Sequence, residues 1–299
     1  MDTHVDVVDL PVDTSAPVLV TGATGYVAGW IVRALLDAGV TVHAAVRDRG
    51  DAKKVGHLLA AADASPGTLR LFASDLLREG SYAEAMRGCR TVLHTASPFV
   101  RSVRDPQRDL VDPAVQGARN VLRTAGEVGE VERVVLTSAV AAMIGDAKDV
   151  LALPGRTVTE ECWNTTSSLT REPYSYSKTL AELEAWRIAQ EQDSWRLLTV
   201  NPGLVIGPAL NSAPTNESFT IARQMAGGRM RLGAPRIALT CGGTSATTSA
   251  WTPRRAVGSW VCGTARRRRR WRRCSGRSWR AGRAPLNQVI RCRTAPGLV

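Results

Sequence analysis

The chain has 299 residues, enough for one large α/β domain with a small lobe, and a formal net charge of +12. That charge would ordinarily suggest a nucleic acid or an anionic membrane as partner, but residues 237–299 hold 14 Arg and no Lys, Asp or Glu. This leaves 25 basic against all 27 acidic residues in 1–236, a net charge of −2, so the basicity belongs to the tail alone. No apolar run approaches the length of a membrane span, and the N-terminus, MDTHVDVVDLPVDTS, has neither the basic start nor the apolar stretch of a signal peptide; a cytoplasmic protein is expected.

Residues 1–16 read as a disordered leader, and Val18-Leu19-Val20 as a buried strand ending at a glycine turn. A helix over 26–38 follows, with Val27, Ile31, Ala34, Leu35 and Ala38 on its apolar face and Gly39 stopping it. The alternation then repeats: strand 40–46, helix 52–62, strand 69–73, short helix 82–87, strand 91–94, long helix 113–128, strand 133–137. A helix over 174–192 and a strand over 197–201 complete it. Strands and helices alternating in this way predict an α/β, Rossmann-type, doubly wound parallel sheet.

Ligands of such sheets lie beyond the carboxyl ends of the strands, which makes 22–27, Arg47, Asp75, 95–98, Ser138 and 202–203 candidate site residues. In Gly22-Ala23-Thr24-Gly25-Tyr26-Val27-Ala28 the first glycine permits a tight turn and the second lets backbone N–H groups approach a pyrophosphate. Ala28 allows close packing of helix on strand, and the helix N-terminus favours the negative charge. Where an acidic residue would bind the ribose 2′-hydroxyl of NAD, the chain has Arg47, with Lys53 and Lys54 close behind. A guanidinium there binds a 2′-phosphate bidentately, so NADPH is the expected cofactor.

Carbonyl reduction leaves negative charge on oxygen and needs a proton donor with a positive charge nearby. Tyr174 and Lys178 are four residues apart and so share a helix face, where the ammonium would favour the phenolate of the tyrosine. Tyr176 starts no second such pair, because position 180 is Leu180.

These stretches together resemble the extended short-chain dehydrogenase/reductases of the NAD-dependent epimerase/dehydratase family, within them the dihydroflavonol reductase and cinnamoyl-CoA reductase-like group. The matching segments are TGATGYVAGWIVRALLDAG, VHAAVRDRGDAKKVGHLL, HTASP, VVLTS, EECW, YSYSKTLAE and VNPGLVIGP, covering roughly 16–236. The resemblance implies that Arg47 and Lys53 or Lys54 hold the 2′-phosphate, Asp75-Leu76 the adenine and Thr95-Ala96 the nicotinamide-side ribose. It also implies that Pro202, Gly203 and Leu204 line the nicotinamide.

Two departures stand out. The family's strand-five end reads Thr-Ser-Ser, its second serine being catalytic; here Thr137-Ser138 is followed by Ala139, and Ser138 is the candidate replacement. The plant cinnamoyl-CoA signature Asn-Trp before the tyrosine is Glu172-Pro173, which argues against CoA thioesters. Beyond Leu239 the family pattern stops, and the composition of 240–299 is what GC-rich codons read out of frame give. Its cysteines, Cys241, Cys262, Cys274 and Cys292, have no C-x-x-C spacing, so no metal site is expected.

The resulting division is a leader over 1–16, an NADP-binding domain over 17–203, a partial, truncated substrate lobe over 204–239 and a disordered basic tail over 240–299. The expected function is reduction of a small or aromatic aldehyde or ketone, with Tyr174, Lys178 and Ser138 catalytic and a homodimer as one open assembly state. The alternatives are a cofactor-binding protein without turnover, and a basic-arm module for nucleic acid, which nothing in 1–236 supports.

Overall fold

The computed structural model describes residues 12–98, 103–205, 207–211 and 292–293. Six strands, β1 (Val18–Thr21), β2 (Thr41–Val46), β3 (Thr68–Ala73), β4 (Thr91–His94), β5 (Arg133–Thr137) and β6 (Arg196–Val200), pair in parallel in the order β3-β2-β1-β4-β5-β6. The helices between them are α1 (Tyr26–Asp37), α2 (Ala52–Asp63), α3 (Ala83–Met86), α4 (Asp112–Val128) and α5 (Pro173–Gln190). The strand order grows outward in both directions from the β1–β4 pair, so a crevice opens beyond the carboxyl ends of these two strands.

Consecutive residues of β1 face opposite layers. Leu19 joins the cluster of Met86, Val121, Leu122, Val134 and Leu197 beneath α4 and α5, and Val20 joins that of Val32, Leu36, Val42 and Leu58 beneath α1 and α2. Both sheet faces are therefore covered, which is why central β1 is buried along its whole length, whereas edge β3, TLRLFA, alternates exposed and partly buried residues over 68–71. Each such side chain contributes about 1.5–3 kcal/mol on burial.

One helix face differs from expectation. α1 buries Ala28, Gly29, Val32 and Leu36 against the sheet, whereas the expected stripe is only partly buried. The reason is that α1 is covered on two sides: its Ile31 and Leu35 pack at the margin of the same cluster, toward α2. Gly39 stops the helix with φ +80°, its N–H donating to Leu36 O.

Between β5 and α5 lie short 3₁₀ turns at Val140–Ala142, Ala147–Ala152 and Pro154–Arg156, for which the sequence gives no periodic signal. Buried Asn164 pins this segment: its Nδ2 donates to Ala141 O, and its Oδ1 accepts from Thr166 N and Ser167 N.

Residues 1–11 of the expected leader, nearly all of the expected disordered tail and most of the expected substrate lobe fall outside the described residues; within 12–16, Ser15 N donates to Asp13 Oδ1 and Asp13 pairs with Arg90 at 3.6 Å. The exception in the tail is β7 (Cys292–Arg293), which pairs antiparallel with β6. Among the described residues no helix is long and apolar enough to cross a membrane, and no cluster of three His, Cys, Asp or Glu side chains is placed to hold a metal.

Candidate active site

The glycine turn sits where β1 hands over to α1. Gly22 has φ +63°, and a Cβ on it would lie 2.8 Å from Ala96 Cα, so the turn and the segment after β4 meet at a distance only glycine allows. Gly25 N donates to Gly22 O at 2.8 Å, and Ala23 N donates to Ala45 O on β2. A Cβ on Gly25 would lie 3.0 Å from Gly22 O. Gly25 caps α1 with no side-chain hydrogen bond, and the first-turn amides of a helix have no acceptors within the helix itself. This cradle fits a pyrophosphate.

Behind it a single hydroxyl ties the two central strands together. Thr21 Oγ1 accepts from Thr95 N and Ala96 N, both at 3.1 Å, and so its own proton goes to His94 Nδ1 at 2.8 Å. Thr95 Oγ1 in turn donates to Thr21 O. His94 is 1% exposed; burial first, and the nearby Lys178 charge second, hold its imidazole down at about 3. It is therefore neutral, with its proton on Nε2. Sequence reading missed this pair, because neither residue is unusual until their strands are paired.

Farther along the strand ends from the glycine turn, exposed Arg47 follows β2 and exposed Asp75 follows β3. Both act on the buried Tyr82 hydroxyl, whose ionisation is pushed up by burial first and by the Asp75 charge next, while Arg47 opposes. Asp75 Oδ1 accepts from Leu77 N. Leu76 is buried against Gly117 of α4, where a Cβ would collide with it at 2.6 Å, and Asn120 Nδ2 holds Leu76 O. The structure thus brings Arg47, Asp75 and Leu76 to one side of the glycine turn. Lys54 lies on α2 in an exposed pair with Asp51, at 3.1 Å.

At the other end, α5 carries Tyr174, Lys178 and Glu182 one turn apart. Pro173 opens the helix, preceded by Glu172 at φ +53°, an uncommon conformation for such a residue. Tyr174 is 44% exposed, and Lys178 Nζ lies 5.8 Å from its ring centroid. The ammonium also donates to Ser97 Oγ at 2.8 Å. Burial pulls Lys178 down to about 8, which leaves it charged at neutral pH.

Ser138 is placed differently from a cleft hydroxyl. It is 8% exposed, and its Oγ donates at 2.5 Å to Oε2 of Glu182, which is fully buried. Asn201 Nδ2, at the end of β6, donates to the same oxygen at 2.8 Å and to Ala139 O at 3.1 Å. Ser138 N donates to Val200 O and Val140 N to Pro202 O, so the ends of β5 and β6 are stitched together beneath the exposed Gly203. A small cavity of about 30 Å³ lies among His94, Ser97, Ser138, Lys178 and Glu182. The segment after β6 returns over α1: Pro208 O accepts from Trp30 Nε1 at 2.9 Å, and Asn211 Nδ2 reaches Thr24 O.

A parallel sheet with a glycine cradle at its switch point defines a dinucleotide-binding fold, with the Tyr174/Lys178 helix beside the same crevice. The family model of the NAD dependent epimerase/dehydratase family matches residues 18–245, and the chain belongs to that family. It is 42% identical to cinnamoyl-CoA reductase CAD2 of Medicago truncatula, over 68% of this chain and 62% of that one. Its identity to dihydroflavonol 4-reductase of Gerbera hybrida is 36%, over 67% of this chain and 54% of that one. Among solved structures it is similar to Gre2 of Candida albicans in complex with NADPH, with TM-score 0.60 and 30% identity, over 70% of this chain and 65% of that one. The chain thus spans less than two thirds of the length of these relatives.

Proposed function

We propose that the chain is an NADPH-dependent reductase of a small or aromatic aldehyde or ketone. The observation that carries this reading is the joint placement of the glycine cradle and the Tyr174/Lys178 pair at the carboxyl ends of one parallel sheet. The similar structure of Gre2 from Candida albicans is a complex with NADPH. In this chain Gly22, Ala23, Thr24, Gly25, Tyr26 and Val27 would cradle the pyrophosphate, Arg47 with Lys54 the 2′-phosphate, and Asp75 with Leu76 the adenine. Thr95, Ala96 and Lys178 would take the ribose, and Pro202 and Gly203 would line the nicotinamide.

When bound, NADPH supplies the hydride for the carbonyl carbon. Tyr174 gives its proton to the carbonyl oxygen, and the Lys178 ammonium stabilises the phenolate left behind. Ser138 stands as the strand-end hydroxyl of the sequence reading, but its proton is directed at Glu182 rather than at the crevice. That observation favours a second reading, a cofactor-binding protein with little turnover, because Ala139 supplies no hydroxyl either.

Steady-state NADPH oxidation with a panel of aliphatic and aromatic aldehydes separates the two. Turnover with any member supports the reductase; tight NADPH binding with no turnover across the panel selects the second reading.

A further inference from the structure

An alkoxide developing from a carbonyl presents two lone pairs, and a site that reduces carbonyls places a second donor beside the proton donor. Three hydroxyls at the strand ends are engaged elsewhere: Ser138 donates to Glu182, Thr95 to Thr21 O and Thr21 to His94, while Thr137 at the end of β5 lines the same cavity but makes no hydrogen bond with the ammonium. Ser97 differs. It is exposed, it shares the small cavity with Lys178, and its Oγ accepts from the ammonium at 2.8 Å. An ammonium can only donate, so this contact uses a lone pair of Ser97 and leaves the hydroxyl proton for another acceptor. A hydroxyl that accepts from a cation is also polarised toward donating. The same ammonium lies 5.8 Å from the Tyr174 ring centroid, so Ser97 and Tyr174 both neighbour one charge.

We propose that Ser97 is a further catalytic residue, donating the second hydrogen bond to the substrate oxygen beside Tyr174. The inference rests on the reductase reading above. Ser97 keeps its own proton throughout; the proton that ends on the alcohol oxygen comes from Tyr174, which is reprotonated from water.

The test compares the full chain with Ser97→Ala. Because Ser97 is exposed, the variant is expected to fold, which its melting curve checks. With the best aldehyde, kcat should fall about 10²-fold while the NADPH dissociation constant stays nearly constant. A second readout needs no turnover: Lys178 is one of only four lysines, so its modification by an amine reagent can be followed by peptide mapping as a function of pH. Removing its acceptor should move the labelling midpoint of Lys178 to lower pH. If Ser97→Ala keeps at least half of the wild-type kcat, or leaves the labelling midpoint unmoved, the inference is overturned and the reductase reading stands. If the wild type itself oxidises NADPH with no aldehyde, the reductase reading fails and the inference fails with it.

Discussion

The proposed proton donor and the proposed 2′-phosphate ligand can each be tested by one substitution. Tyr174→Phe removes only the proposed proton donor, so turnover should fall by about 10²-fold or more while NADPH binding is nearly kept. Residual activity well above a hundredth of the wild type would show that another group delivers the proton. Arg47→Asp tests cofactor choice: it replaces a guanidinium suited to a 2′-phosphate by a carboxylate suited to a 2′-hydroxyl. The preference for NADPH over NADH should reverse, as titration of both cofactors would reveal, and equal affinity of the native chain for the two would refute the assignment. The types and spacing of these residues are legible in the sequence. Where Ser138 sends its proton is not, because Glu182 lies 44 residues away and meets it only once α5 packs on β5.

At the scale of elements, α4 and α5 are held together by packing of Val121, Leu122, Ala185 and Ile188 within one cluster and by a charged network at their edge. Glu184 of α5 accepts from Arg119 of α4 at 2.8 Å and from Arg187 on its own helix. The Arg187 contacts, and then Arg119, hold its carboxyl down at about 2. Its folded-state pKa lies below that of the unfolded chain, so this contribution to stability is complete above about pH 4.5 and is lost as pH falls toward 2. Glu184→Gln should therefore lower stability at pH 7, by about 1–3 kcal/mol for hydrogen bonds to a charged group. In denaturant melts at stepped pH the difference from wild type should close between about pH 4.5 and 2. A difference that persists unchanged at low pH would mean that packing, not charge, is lost. The strands were readable to within a residue or so from β-branched runs between turns. The 3₁₀ turns between β5 and α5 were not, because they are ordered by single contacts such as those of Asn164 rather than by a repeating face.

For the whole molecule, the charge ledger and the family match divide the chain near the same place: the basicity lies beyond 236 and the match ends at 245. We propose that 240–299 contributes little to the fold. The described part of it, Cys292–Arg293, adds only a two-residue rung to β6. Deleting 240–299 should leave the melting temperature nearly unchanged, and a marked drop would show that the tail completes the folded structure. Sequencing the coding DNA around codon 239 in all frames tests the shifted-frame reading directly.

The contact between Trp30 and Pro208 has an optical use. Its indole N–H is fastened to the backbone of the segment that continues from Pro202 and Gly203, while its own helix begins at the phosphate cradle. The emission of this one indole therefore registers the pyrophosphate and the nicotinamide of the proposed cofactor at once. In a chain whose other seven tryptophans are replaced by phenylalanine, titration with NADPH would quench it by energy transfer to the nicotinamide. Titration with NADP⁺, which does not absorb at the emission wavelength, would isolate any change in the Trp30–Pro208 contact itself.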